Sequence, residues 1–267
     1  MQVYRYLDIG SGKPDRTVRE RVRHYLIDEV DPDFPFTAGE FCRRASDAAR
    51  EIEARGMRPM VVGGTGLYVD SFFGGLSDIP EIEPDIRGRL YDELDELGLR
   101  HLYDSLLLVD PELGRRLHPN DRQRILRALE VYRGTGKPIS AYYGSRQRYG
   151  SDDVLYIGLH EERDTLRERI DQRVERMVEA GLIDEVAALR NRGYGSELKS
   201  MKSIGYAEIN GYLDGELKRD EAIEKIKSAT GKYAKRQMTW FKKNKSVHWF
   251  RAGDQKKIKD LLRSWIG

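Results

Sequence analysis

The sequence predicts an α/β fold, a parallel sheet flanked by helices and interrupted by an inserted helical subdomain. Short apolar runs at residues 24–27, 60–62, 154–159 and 247–250 alternate with segments of helical periodicity, the strand–helix–strand rhythm of a parallel sheet. From about residue 77 to about residue 140 that rhythm gives way to helical spacing alone. With 39% hydrophobic residues over 267 positions, the chain has enough apolar surface for a core that tolerates such an insertion. The division expected is therefore residues 1–76 and 141–267 for the α/β core and 77–140 for the helical insertion.

Taken in order, residues 24–27 form a first strand. Thr37 and Glu40 make a capping box for a helix whose Phe41, Ala45, Ala48, Ala49 and Ile52 face inward until Gly56. A second strand at 60–62 runs into Gly63, Gly64, Thr65 and Gly66, and a helix starts near Leu67. In the insertion, Leu90, Leu94 and Leu97 recur at helical spacing. The segment HPNDRQRILRALEVYRGTGKP from His118 to Pro138 then reads as one short, bounded helix: Asn120 or Asp121 accepts the first free amides, Ile125, Leu126 and Leu129 point inward, and Gly134 closes the end. Gln123 and Arg127 share a face with Arg124 one turn before Arg127, a set of forked donors suited to phosphates or base edges. A solvated basic face is the bland alternative. After a strand near 154–159, Thr165 and Glu168 offer another capping box for a helix lined inside by Leu166, Ile170, Val174, Met177 and Val178. A last strand near 247–250 rejoins the sheet.

Charged residues make up 34% of the chain, yet the net charge is only +2, so any nucleic-acid contact must come from local clusters. The single cysteine, Cys42, excludes an internal disulfide and reads as a small core residue; a cytoplasmic protein is expected. No apolar run is long enough to cross a bilayer.

The His118 to Pro138 segment resembles a signature of the tRNA dimethylallyltransferases, and four further stretches follow in that family's order. They are MQVYRYLDIGSGKP at the start, VVGGTGLYVDSF from Val61, RIDQRVERMVEAGLIDEV from Arg169, and the pair MKSIGYAEI and YAKRQMTWF. Together they span nearly the whole chain. The resemblance implies a nucleotide-kinase-like core of the P-loop NTPase type, and transfer of a dimethylallyl group from dimethylallyl diphosphate to N6 of the adenosine 3′ to the anticodon of tRNA. It also implies magnesium for the complete enzyme, dimethylallyl diphosphate as co-substrate, the tRNA anticodon stem-loop as partner, and a monomer.

By the same resemblance Arg173 steadies the departing diphosphate, where a fixed guanidinium stabilises growing charge. Gln2, Thr65, Gln123, Arg124, Arg127, Lys202, Gly205 and Tyr206 are the residues it implies for tRNA. Each has a structural alternative. Arg169, Arg173 and Arg176 lie on one helix face and can pair with neighbouring glutamates; glycines 63, 64 and 66 can serve a tight turn; Trp240 and Phe241 suit a helix packing aromatics inward. Ala207 and Gly231 stand where relatives often carry a cation.

A phosphate loop needs Gly, four residues, Gly, Lys and then Ser or Thr. Gly12 and Lys13 come nearest, but Leu7 and Pro14 occupy the other two positions, so this is not that loop. In the family an aspartate just before the segment matching MQVYR acts as general base. This chain is therefore expected to lack the first strand, the phosphate loop with its magnesium ligand, and that base, and to be impaired or inactive and reduced in stability. The competing classes are a non-catalytic tRNA-binding protein and an adenylate isopentenyltransferase acting on free nucleotides; the arginine helix speaks against the second.

Overall fold

Asp15 accepts from the Val18 amide and opens α1 (Arg16–Arg21) in the computed structural model, which describes residues 1–143, 146–147 and 153–267. Helix α2 (Ala38–Ala54) starts where expected: Thr37 Oγ1 accepts from the Glu40 amide at 3.2 Å, and Cys42, Ala45 and Ser46 form its buried stripe. Burial pushes the Cys42 thiol up to about 11. Then come α3 (Gly66–Gly74), β1 (Leu76–Ser77), α4 (Pro84–Val109), α5 (Pro111–Arg116), α6 (Arg122–Thr135) and β2 (Arg146–Gln147). The remaining elements are β3 (Tyr156–His160), α7 (Arg163–Glu179), α8 (Leu182–Asn191), α9 (Tyr206–Leu213), α10 (Arg219–Phe241), β4 (Val247–Arg251) and α11 (Gln255–Ile266).

The chain divides into two units, Met1–Val69 with Ser151–Gly267, and Asp70–Gly150. In the first unit β3 and β4 pair in parallel with Tyr156 opposite Val247, and a parallel bridge joins Tyr4 to Val30, so the α/β class with parallel pairing holds. Its core gathers Val174, Leu182, Val186, Met201, Tyr206 and Ile209 from the helical stretch between residues 174 and 209 around Leu7 from the start of the chain. Each such side chain contributes about 1.5–3 kcal/mol by leaving water.

Two expected strands do not form. Residues 24–27 bend instead, with Leu26 and Asp28 at positive φ of 60° and 58°. Asp28 is drawn into ion pairs with Lys13 and Arg19, and the Leu26 amide bonds Glu29, so side chains dictate a reversal where the apolar run suggested extension. Residues 60–62 lie outside any strand, with Met60 82% and Val62 84% exposed. A strand needs a partner's ladder, which local sequence does not encode.

In the second unit, α4 and α6 pack through Leu90, Leu102, Leu106, Ile125 and Leu129. Gly98, at φ 81°, breaks α4 in its middle, which leaves Leu97 half exposed rather than in line with Leu90 and Leu94. Asp121 caps α6 as expected, but the helix continues past Gly134 and ends at Gly136, whose φ of 70° is left-handed. Gly134 lies instead against Ile82, with no room for a Cβ. Helix α7 begins two residues before Thr165, from Glu162, without a side-chain cap, so the expected Thr165 box is not used.

Candidate functional site

The first thirteen residues of the first unit fold into a loop built by side chains. Lys13, with its side chain only 3% exposed, donates to the Tyr4 carbonyl at 2.8 Å and pairs with Asp8 and Asp28. The apparent Gly-Lys match to a phosphate loop is thus spent on structure. Burial alone would raise the Asp28 carboxyl, but bonds from Lys13 and Arg19 outweigh it and hold it below the ordinary value. A depressed folded-state value means stability that is present above the ordinary carboxylate range and lost as pH falls through the folded value. Glu130 in the second unit behaves alike, with Arg87 and Arg127 overcoming burial. The melting temperature is therefore expected to fall below about pH 4, and Asp28→Asn to flatten that acid limb; an unchanged limb in a pH series of melts would refute the assignment.

Gln2 and Arg173 meet at this loop. Gln2 Nε2 donates to the Gly12 carbonyl at 2.9 Å and, more weakly, to the Ser11 carbonyl at 3.4 Å, which leaves its amide oxygen free to accept. Gly12, at φ 61°, touches the Arg173 guanidinium so closely that a Cβ there would overlap Nη2. Arg169, one turn earlier on α7, pairs with Glu161 at 2.9 Å. Arg173 is exposed and, among the described residues, has no carboxylate partner. The structural alternative thus fits Arg169 and not Arg173.

A second group surrounds residues 63–66. The Gly64 carbonyl accepts from Gln237 Nε2 at 3.1 Å and, at the limit of a hydrogen bond, from the Tyr233 hydroxyl at 3.5 Å, and the indole of Trp240 lies so close to Gly66 that a Cβ there would overlap it. Trp240 of α10 thus packs against this loop while Tyr233, Lys235 and Arg236 on the same helix are exposed. Thr65 is exposed; its carbonyl accepts from the Tyr68 and Val69 amides, and among the described residues its hydroxyl has no hydrogen-bond partner. Lys202 is exposed and, among the described residues, has no ion pair. Gly205, at φ 96°, begins α9 and donates its amide to Glu208 at 2.8 Å. Tyr206 has no exposure at all, and its hydroxyl donates to Glu185 at 2.7 Å, so it has no free face on which a base could stack. Its place is inside the fold.

In the second unit, α6 exposes Gln123, whose amide has no hydrogen-bond partner among the described residues. Arg124 pairs with Asp121 at 3.2 Å and stays 66% exposed, while Arg127 bonds Glu130 at 2.9 Å beside Arg87. Part of the arginine cluster is therefore committed to carboxylates, which sequence spacing did not reveal. Also unforeseen were Glu185, Gln237 and Tyr233. They act on backbone groups far off in sequence, and nothing in their own segments signals it.

The fold defines the class, an α/β protein; within it an exposed guanidinium with no carboxylate partner among the described residues, a donor type suited to phosphates, stands against the glycine whose carbonyl Gln2 holds. A family model described as IPP transferase matches residues 2–244. The chain is 50% identical over 253 residues to the tRNA dimethylallyltransferase 2 of Geotalea uraniireducens, covering 93% of this chain and 81% of that protein. It superposes on the crystal structure of the tRNA isopentenylpyrophosphate transferase of Bacillus halodurans with a TM-score of 0.69 at 38% identity, over 99% of this chain and 85% of that one. A eukaryotic dimethylallyltransferase acting on tRNA gives a TM-score of 0.80 at 28% identity, over 96% of this chain and 66% of that one. The chain belongs to the IPP transferase family and is a prenyl-transferring enzyme by that membership.

Proposed function

We propose that this chain transfers the dimethylallyl group of dimethylallyl diphosphate to N6 of the adenosine 3′ to the anticodon of tRNA, on a nucleotide-kinase-like core. The observation that carries the reading is Arg173, exposed, unpaired and pressed against the loop that also holds Gln2. In the reaction the N6 lone pair forms a bond to the allylic carbon as the carbon–oxygen bond breaks. The diphosphate departs with the electron pair, and the alkylated amine then gives up one proton to solvent water. Arg173 stabilises the charge growing on the leaving group. Gln2 presents its amide oxygen to the adenine edge, and Thr65 offers a free hydroxyl on a loop that admits an unstacked base. Gln123, Arg124, Arg127, Lys202 and Gly205 bear on the RNA, the cations through phosphates. Tyr206 contributes by holding its neighbours.

Magnesium is expected in such a transfer. Such an ion is held largely by the substrate's own phosphates and by water, and among the described residues no group of three or more His, Cys, Asp or Glu is placed to hold a metal. Also among the described residues, no helix is long and apolar enough to cross a membrane. On this reading the protein acts as a monomer in the cytoplasm.

The test is transfer of radiolabelled dimethylallyl diphosphate to unmodified tRNA, alongside binding of an anticodon stem-loop RNA. Labelled tRNA is the outcome this reading expects, and it would overturn the sequence-based expectation of an impaired or inactive chain. Tight RNA binding with no label transferred would instead establish the non-catalytic tRNA-binding alternative, and label on free adenylate alone would establish a nucleotide-directed enzyme.

A further inference from the structure

Residues 8–10 present three consecutive backbone amides to one side, an arrangement that binds anions. The anion is supplied from within. Glu185, on α8, accepts from the Asp8 and Ile9 amides through Oε2 at 3.0 and 2.7 Å, and from the Gly10 amide and the Tyr206 hydroxyl through Oε1 at 3.1 and 2.7 Å. Four donors thus converge on one carboxylate. The Tyr206 ring lies so near Gly10 that a Cβ there would stand 2.6 Å from it. Burial first, then the charge and bond of Glu185, push the Tyr206 phenol well above its ordinary value, so it stays a donor at any working pH.

What Glu185 holds is the turn that continues through Gly12. Within it the Gly12 amide donates to the Ile9 carbonyl at 3.0 Å and the Lys13 amide to the Asp8 carbonyl at 3.1 Å. Gly12 then carries the Gln2 bond on its carbonyl and the Arg173 guanidinium at its α-carbon. The path from Glu185 to both side chains is a single tight turn.

We propose that Glu185, with Tyr206 orienting it, is a positioning residue: it sets the turn at residues 8–12 and thereby the places of Gln2 and Arg173. The kinetic part of this inference rests on the proposed function; the anchoring part does not. A carboxylate is required because it accepts from all four donors, whereas a glutamine turns an NH2 group toward two of them and weakens the charge-assisted bonds that remain.

The experiment compares the unreplaced protein with Glu185→Gln, Tyr206→Phe and, as a control, Ile209→Val. Ile209 is 1% exposed in the same core and touches none of the three amides through a hydrogen bond, so its truncation lowers the melting temperature without loosening the turn directly. Hydrogen exchange is read at the Asp8, Ile9 and Gly10 amides together with the NMR signals of the Gln2 side-chain amide. Glu185→Gln is expected to accelerate exchange at these amides about tenfold and to free the Gln2 signals, Tyr206→Phe to do so partly, and Ile209→Val to leave them within about twofold. In the transfer assay Glu185→Gln is expected to lower kcat about tenfold while KM for the stem-loop RNA moves less, since phosphate contacts lie elsewhere. Exchange rates that do not distinguish Glu185→Gln from Ile209→Val overturn the proposal, as does a kcat that merely follows melting temperature across the set. A protein that transfers nothing overturns the proposed function, and the exchange rates then decide the anchoring by themselves.

Discussion

Arg173→Ala is expected to lower the rate of prenyl transfer by about two to three orders of magnitude, the usual consequence of removing a fixed group from developing negative charge. The expectation follows from its surroundings. Arg169, on the same face of α7, is neutralised by Glu161, whereas Arg173 is exposed and no carboxylate among the described residues claims it. Because it carries no ion pair, its loss should leave the melting temperature nearly unchanged. Arg173→Lys keeps the charge and loses the planar fork, so it should recover only part of the rate. Single-turnover transfer, with a melt recorded for each variant, makes the measurement. A rate within about threefold of the unreplaced protein would show that this guanidinium does not face the leaving group.

Gly66→Val should both destabilise the first unit and weaken RNA binding. The indole of Trp240 covers the glycine so closely that a Cβ would stand 2.5 Å from Nε1, and two further methyl groups leave no arrangement without movement of α10 or of the loop. Overpacking of this kind costs about 1–3 kcal/mol. The loop also carries Thr65, and Gln237 and Tyr233 bind its Gly64 carbonyl, so displacement should carry Thr65 with it. The expected result is a lower melting temperature, a shifted tryptophan emission and reduced affinity for the anticodon stem-loop. Gly63→Ala is the control, because open space surrounds that position. Equal behaviour of the two variants would mean that Trp240 does not hold this loop.

Much of the helical structure was legible because its signals are local. Thr37 and Asp121 cap α2 and α6 by accepting, through their side-chain oxygens, from the Glu40 and Arg124 amides three residues on, and the stripe of Ile125, Leu126 and Leu129 is buried as its spacing requires. The ends were less legible. At α6 both Gly134 and Gly136 fit a stop signal; the left-handed φ falls at Gly136, while Gly134 stays helical with Ile82 packed where its Cβ would stand. At α7 the Thr165 and Glu168 pattern is present, but the chain leaving β3 turns helical sooner.

The site divides in the same way. The resemblance of five motifs pointed to Gln2, Thr65, Arg173 and the α6 donors, and residue type alone says that arginine and amide side chains suit phosphates and base edges. It could not tell a free arginine from a paired one: Arg173 and Arg169 are four residues apart and differ only in whether a glutamate from outside the helix reaches them. Nor could it say that Tyr206 is a core residue bonded to Glu185, or that Lys13 is enclosed by Tyr4, Asp8 and Asp28.

From the order of residues alone came the family, the α/β class and the helices whose caps and stripes lie within a few positions of one another, since propensity, capping and periodicity act over one or two turns. Which apolar runs pair as strands, which cations remain free, and which carboxylate organises the loop at residues 8–12 were settled by the folded chain, because a ladder, an ion pair and a cluster of amides each require partners that only folding brings together.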